Sequence, residues 1–267
     1  MIPYRLYKGA WVGTDESKET LLSKSDINQL LHRGGWMVRN VYNFDTPNIT
    51  SFWYVIKDSF GGLEELSSGA RRDVRKSLRT YDVVRITAAQ LLEIGYPIYS
   101  SAQEAYRVKC EVISIDQYKH LIESLSSDNN KEFWAIRHKE SGEYIALAIN
   151  TIKEDSCEYN VLKCKPYALK DGSQPYYGLI YEMNRYYLEE RGLKYVNDGA
   201  RSITEHSNIQ PFLIQKFKFR KAYCDIKITY KWWLNFIIKM LYPFRKLIPI
   251  GRIKALLYME GMARGKI

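Results

Sequence analysis

The stretch EFWAIRHKESGEYIALAINTIKEDSCEYNVLKCK, residues 132–165, decides the fold. Its apolar and β-branched runs at 132–138, 144–152 and 158–165 are separated by the polar turns Glu140-Ser141-Gly142 and Glu154-Asp155-Ser156. It therefore reads as three consecutive strands, the first two a hairpin. Upstream, residues 88–107 and 115–126 carry helical spacing, with Gly95 and Pro97 as candidate break points in the first, and 82–87 is a short strand. Before these, 63–81 is helical: Leu66, Ala70, Val74 and Leu78 recur every four residues, and Arg71, Arg72, Arg75, Lys76 and Arg79 take the other side. Downstream of the quoted stretch come a loop (166–175), a helix (176–191, stopped by Gly192), a strand (194–198), a helix (208–217) and a strand (220–229). Antiparallel strands followed by a strand–helix–strand crossover give a mixed α/β sheet with helices on its faces. Ligands of such sheets favour the C-terminal ends of the central parallel strands, here 158–165 and 194–198.

The first 60 residues are β-rich, with aromatic runs at 36–43 and 51–57 around a turn at Asp45, Pro47 and Asn48. Apolar residues make up 46% of the chain and charged residues 26%, which excludes wholesale disorder. The 22 tyrosines and six tryptophans supply a large core or a concave binding surface. Cys110, Cys157, Cys164 and Cys224 show neither a C-x-x-C pair nor zinc spacing, and read as reduced thiols in a reducing, cytoplasmic compartment with no metal site. Residues 1–13 offer no leader-like apolar segment. Of the net charge of +10, seven units lie from Tyr230 onward, where eight Lys or Arg face Glu260 alone. The sequence thus presents a nearly neutral body and a basic appendage.

The order strand, two helices, three antiparallel strands, helix, strand, helix, strand resembles the GNAT superfamily of N-acyltransferases from about residue 82 to 229. The sharpest local match is Asn208-Ile-Gln-Pro-Phe-Leu-Ile-Gln-Lys-Phe-Lys-Phe219, similar to the family segment N-x-x-A-x-x-L-Y-x-x-x-G-F. Asn208, Leu213 and Phe219 match it, while Pro211, Ile214 and Lys218 replace the alanine, tyrosine and glycine. The run Trp53-Tyr-Val-Ile, the arginine-rich helix and Asn197-Asp198-Gly199 resemble the Fem-like subset, in which two GNAT units sit side by side. The resemblance implies a GNAT-type mixed central sheet flanked by helices over 82–229 and a partial second β/α unit over 1–81, and the charge distribution leaves a helical basic tail over 230–267. It also implies acyl-CoA, in particular acetyl-CoA, as donor and a small-molecule amine as acceptor. The family grips the coenzyme A pyrophosphate with Q/R-x-x-G-x-G/A at a helix start, where free amides and the helix dipole meet phosphate. This chain has Lys170-Asp-Gly-Ser-Gln-Pro175 there, so Gly172, Ser173 and Gln174 are the candidate cofactor contacts, together with Asn208. A Fem-type donor, aminoacyl-tRNA, needs no such loop.

Acyl transfer to an amine requires a base, a hydrogen bond to the carbonyl and a proton for the leaving group. The candidate catalytic residues are Asp198, His206, Glu158 and Tyr223, with Tyr223 or Tyr177 the substitute for the acid tyrosine replaced by Ile214. Asp198 ends a parallel strand beside Gly199 and is either a base or a turn residue. His206 is either a base near neutral pH or a surface histidine. Glu158 and Asn160 share one strand face and Tyr159 takes the other, so one set borders substrate or forms a buried pair. Asn160, Tyr159, Tyr177 and Arg201 are the candidate substrate contacts, Arg201 being alternatively the ion-pair partner of Asp198.

In the tail, Trp232, Trp233, Phe236, Ile237, Met240 and Leu241 fall on one helical side. The run is too short to span a bilayer. It reads as an interfacial helix on an anionic membrane surface through 231–254, or as a helix completing the core or a protein contact. The sequence-level expectation is an N-acyltransferase acting on an amino sugar or a related cell-envelope precursor. Its rivals are Fem-type transfer from aminoacyl-tRNA and a catalytically silent GNAT-like binding module.

Overall fold

Side-chain caps set where several helices of this chain begin, and the computed structural model shows them in place. The structure describes residues 2–106, 111–202 and 208–266. In chain order the elements are β1 (Tyr4–Tyr7), β2 (Ala10–Gly13), α1 (Lys24–His32), β3 (Met37–Thr46), β4 (Phe52–Lys57), α2 (Ser68–Thr80) and β5 (Tyr81–Ile86). There follow α3 (Ala88–Glu104), α4 (Ile115–Ser126), β6 (Lys131–His138), β7 (Tyr144–Ile152), β8 (Ser156–Cys164) and α5 (Pro175–Asn184). The chain closes with β9 (Tyr195–Ala200), α6 (Ile209–Phe217), β10 (Arg220–Tyr230), α7 (Trp232–Leu241) and α8 (Gly251–Ala263). Reciprocal capping boxes, Thr87 with Gln90 and Ser114 with Gln117, start α3 and α4. No helix among the described residues is long and apolar enough to cross a membrane.

Two compact units result. The central unit holds the described residues of 55–199 and 206–220; the terminal unit holds those of 1–54, 200–205 and 221–267. In the central unit, β5, β6, β7 and β8 pair antiparallel in sequence and β9 joins β8 in parallel. This is the mixed sheet expected from residues 132–165. Its strands β6 and β7 read as continuous apolar runs because both faces are covered. Leu91, Ile98, Tyr118 and Ile122 of α3 and α4 pack on Phe133, Ala135, Leu147 and Ile149. On α5, a π-helical extension (Arg185–Glu190) buries Tyr187, whose hydroxyl accepts from Trp134 at 2.8 Å and donates to Glu132 at 2.9 Å.

One local expectation changes. Helix α3 runs unbroken through Gly95 and Pro97. Gly95 is a close-approach residue instead: a Cβ there would stand 2.0 Å from the Tyr118 hydroxyl oxygen. Strand β10 belongs, from Lys221 onward, to the terminal unit. It pairs antiparallel with β3 from Tyr230↔Met37 to Tyr223↔Thr46, with a bulge at Tyr223/Asp225.

In the terminal unit the tail supplies interior. Leu234, Ile238, Tyr242, Leu257, Met259 and Met262 are buried in one cluster with Met37, Phe52, Cys224, Ile226 and Tyr230. The basic segment that the charge distribution marks as an appendage thus carries an apolar inner face that belongs to the core.

Candidate functional site

The pairing of β8 with β9 is short. It covers Ser156↔Tyr195, Cys157↔Val196 and Glu158↔Asn197, and stops there although β8 runs on to Cys164 and β9 to Ala200. On the other side of β8 the register with β7 jumps from Asn150↔Tyr159 to Ile149↔Val161, leaving Asn160 as the extra residue of a bulge. Bulges re-aim side chains and recur beside active sites. Both irregularities fall at the C-terminal ends of the parallel pair, the place where ligands of such sheets bind.

Asp198 occupies this opening. Asn197 is buried, and its side-chain oxygen accepts from the Gly199 amide at 2.6 Å, pinning the turn. Gly199 has φ +91°, a conformation that L side chains rarely adopt. Asn197 and Gly199 thereby fix the backbone on either side of Asp198. The residue is half-buried, and desolvation pushes its carboxyl up to about 7. A hydrogen bond from Gln210 on α6 opposes the shift, and the charge of Glu158 adds to it. Glu158 itself is paired with Lys153 at 3.2 Å. One opening thus holds a carboxyl poised near neutrality beside a carboxylate with a cationic partner, a division of roles suited to proton transfer.

The other candidates disperse. Tyr159 is buried and its hydroxyl donates to Asn184 at 2.9 Å, which makes it an interior tyrosine. Asn160 is exposed and accepts from Thr151. Tyr177 is buried, edge-on to Phe212 at 5.1 Å, with its hydroxyl held protonated by burial. Asn208 precedes α6 and makes no side-chain cap, while its carbonyl accepts from Phe212. His206 lies outside the described residues. Tyr223 and Arg201 belong to the terminal unit. There Arg201 donates to the Ser51 carbonyl at 2.6 Å and to Tyr258, with its guanidinium 4.2 Å from the centre of the Trp53 ring. Lys221 lies 4.2 Å from the same ring centre and Tyr223 meets it edge-on at 6.0 Å. This cation–aromatic cluster was invisible in the sequence, because its members lie far apart along the chain.

The loop before α5 is already filled. The Asp171 carboxylate accepts from the Ser173 amide at 2.7 Å and from its hydroxyl, which also bonds Tyr81 at 2.5 Å. Gln174 adopts a left-handed conformation, Pro175 has no N–H, and the Tyr177 amide is spent on the Gln174 carbonyl. Lys76 is the compensating feature, its ammonium 3.6 Å from where a Cβ on Gly172 would stand. Lys76 lies on the arginine-rich helix of the sequence reading, whereas Asp171, Gln210 and Lys153 are neighbours of the candidate residues that it did not single out. Only the Asp-Gly-Ser turn at 171–173 carried a local signal for any of them.

Among the described residues no group of His, Cys, Asp or Glu is arranged to hold a metal ion. Cys157, Cys164 and Cys224 are free and buried.

Comparison with known proteins places the fold. The chain is similar to the crystal structure of FemX, at 13% identity over 75% of each chain with a TM-score of 0.52. It is similar to L-PGS from Bacillus licheniformis at 11% identity, covering 98% of this chain and 85% of that one, with a TM-score of 0.52. The C-terminal domain of a putative lysylphosphatidylglycerol synthetase from Agrobacterium fabrum gives 10% identity over 99% and 86%, again at 0.52. No protein-family model and no curated protein matches the chain. At such identities the likeness defines a class of fold: a GNAT-like mixed α/β architecture.

Proposed function

We propose that this chain is an N-acyltransferase in which Asp198 takes the proton of an attacking primary amine. The observation that carries the reading is the Asp198 carboxyl, recessed where β8 and β9 part and pushed up to about 7. In the reaction the amine nitrogen bonds the donor carbonyl carbon and loses its proton to Asp198. The bond from that carbon to the leaving sulfur or oxygen breaks, and the leaving group departs with the proton that Asp198 gives back, which returns the carboxylate. A base with this pKa is efficient near neutral pH. The donor implied by the GNAT resemblance is acyl-CoA, and the acceptor we favour is an amino sugar or a related cell-envelope precursor.

A second reading concerns the donor. Asp171 sits on the Ser173 amide at the start of α5 and repels phosphate from the helix terminus that would hold a pyrophosphate. This favours an aminoacyl ester, such as the aminoacyl-tRNA of Fem-type enzymes, over acyl-CoA. One experiment separates the readings: thiol release from acetyl-CoA with a panel of amino sugars, run beside transfer of a labelled amino acid from charged tRNA. Turnover in one assay identifies the donor, and turnover in neither supports the silent-module alternative.

A further inference from the structure

The terminal unit presents an outer surface that the acyl-transfer reading does not use. Leu234 and Ile238 anchor α7 to the core, which leaves the opposite row in water: Trp232 is 84% exposed, Phe236 64% and Met240 55%. Beyond the helix, Phe244 and Leu247 are exposed as well. The row extends backwards. The Lys231 amide donates to the Trp36 carbonyl at 2.9 Å, which sets the half-exposed Trp36 beside the start of α7. Large apolar groups gathered in this way mark an interaction surface rather than ordinary surface scatter.

Charge selects the occupant. Residues 231–259 contain six cations and no carboxylate. Lys239, Lys246, Arg252 and Lys254 are exposed, and none forms an ion pair with a described residue. A second copy docked face to face would bring these cations against themselves. An anionic bilayer satisfies both features, with aromatic rings at the headgroup level and cations over acidic phosphates. We infer that the terminal unit docks on anionic membrane surfaces through the outer face of α7 and the basic segment that follows it. The docking is peripheral, since α7 spans only Trp232–Leu241. It does not depend on which group the enzyme transfers.

Flotation of the full chain with vesicles tests this, using phosphatidylglycerol mixed with phosphatidylcholine against phosphatidylcholine alone. The expected result is at least about tenfold more bound protein on the anionic vesicles, weakening with salt because the charges are screened. Trp232→Ser with Phe236→Ser, and separately Lys239→Glu with Lys246→Glu, should each reduce binding by about tenfold or more. These side chains are exposed, so the variants should keep the wild-type circular dichroism. If a variant misfolds, quenching of tryptophan emission in the unmodified chain by brominated phosphatidylglycerol supplies the readout. Equal binding to both vesicle types, or no quenching, overturns the inference. So does a dimer in light scattering that the Trp232→Ser change dissociates, because the face would then be a contact between copies.

Discussion

Asp198 joins the candidate chemistry to a stability that depends on pH. Its carboxyl titrates at about 7 in the folded chain, against about 3.9 when unfolded. Between those values the folded state holds a proton that the unfolded state has released, so this group's contribution to stability declines as pH rises from about 4 to 7. Above about 7 the loss reaches about 4 kcal/mol, from about three pKa units at about 1.36 kcal/mol each. Asp198→Asn, which cannot ionise, should therefore be more stable than wild type at about pH 8 and close to it at about pH 4, measured by urea unfolding. The same change should lower turnover at least about tenfold. Wild-type turnover should rise with pH through about 7, a step the variant lacks. Equal stability of the two proteins in alkaline buffer would return Asp198 to a turn role. The sequence exposed Asp198 because the Asn-Asp-Gly turn ends a recognisable parallel strand. Gln210 was not legible, because its hydrogen bond depends on where α6 comes to lie. Gly95 shows the same gap, since its smallness answers to Tyr118 on the next helix and not to a break in its own. Gly95→Ala should destabilise the chain by about 1–3 kcal/mol through overpacking. An unchanged denaturation midpoint would show that Tyr118 can move aside.

At the scale of elements, apolar and β-branched runs between polar turns made residues 131–164 readable as three strands. What stayed hidden was pairing. The bulge at Asn160 and the early end of the β8–β9 ladder arise from the partner strands, and those two features make the opening that holds Asp198. The loop before α5 was half legible: the missing glycines were plain, but the Asp171 carboxylate folded onto Ser173 was not. Asp171→Ala removes a negative charge and frees an amide beside Lys76, so coenzyme A should bind the variant more tightly than wild type. Thermal shift with saturating coenzyme A measures this, because a ligand of the folded state raises the melting temperature. A smaller shift in the variant would mean that the carboxylate holds the loop in its binding shape.

At the scale of the whole molecule, charge was a misleading guide to architecture. Cations concentrated after Tyr230 made the tail look detachable, yet Lys239, Arg252 and Lys254 share α7 and α8 with residues that close the terminal core. A basic surface and an apolar interior coexist on one helix whenever its two faces differ, and net charge reports only the first. A chain ending at Tyr230 loses six buried side chains, Leu234, Ile238, Tyr242, Leu257, Met259 and Met262. At about 1.5–3 kcal/mol each, the loss is on the order of 10 kcal/mol, comparable to the whole stability of a typical domain. The truncated chain should therefore lose native structure in the terminal unit. Hydrogen exchange supplies the measurement: the amides of β3 and β10 should exchange freely in the truncated chain while those of β6 and β7 are read separately, in the central unit. Full protection of β3 and β10 after truncation would show that the tail only covers a core that forms without it.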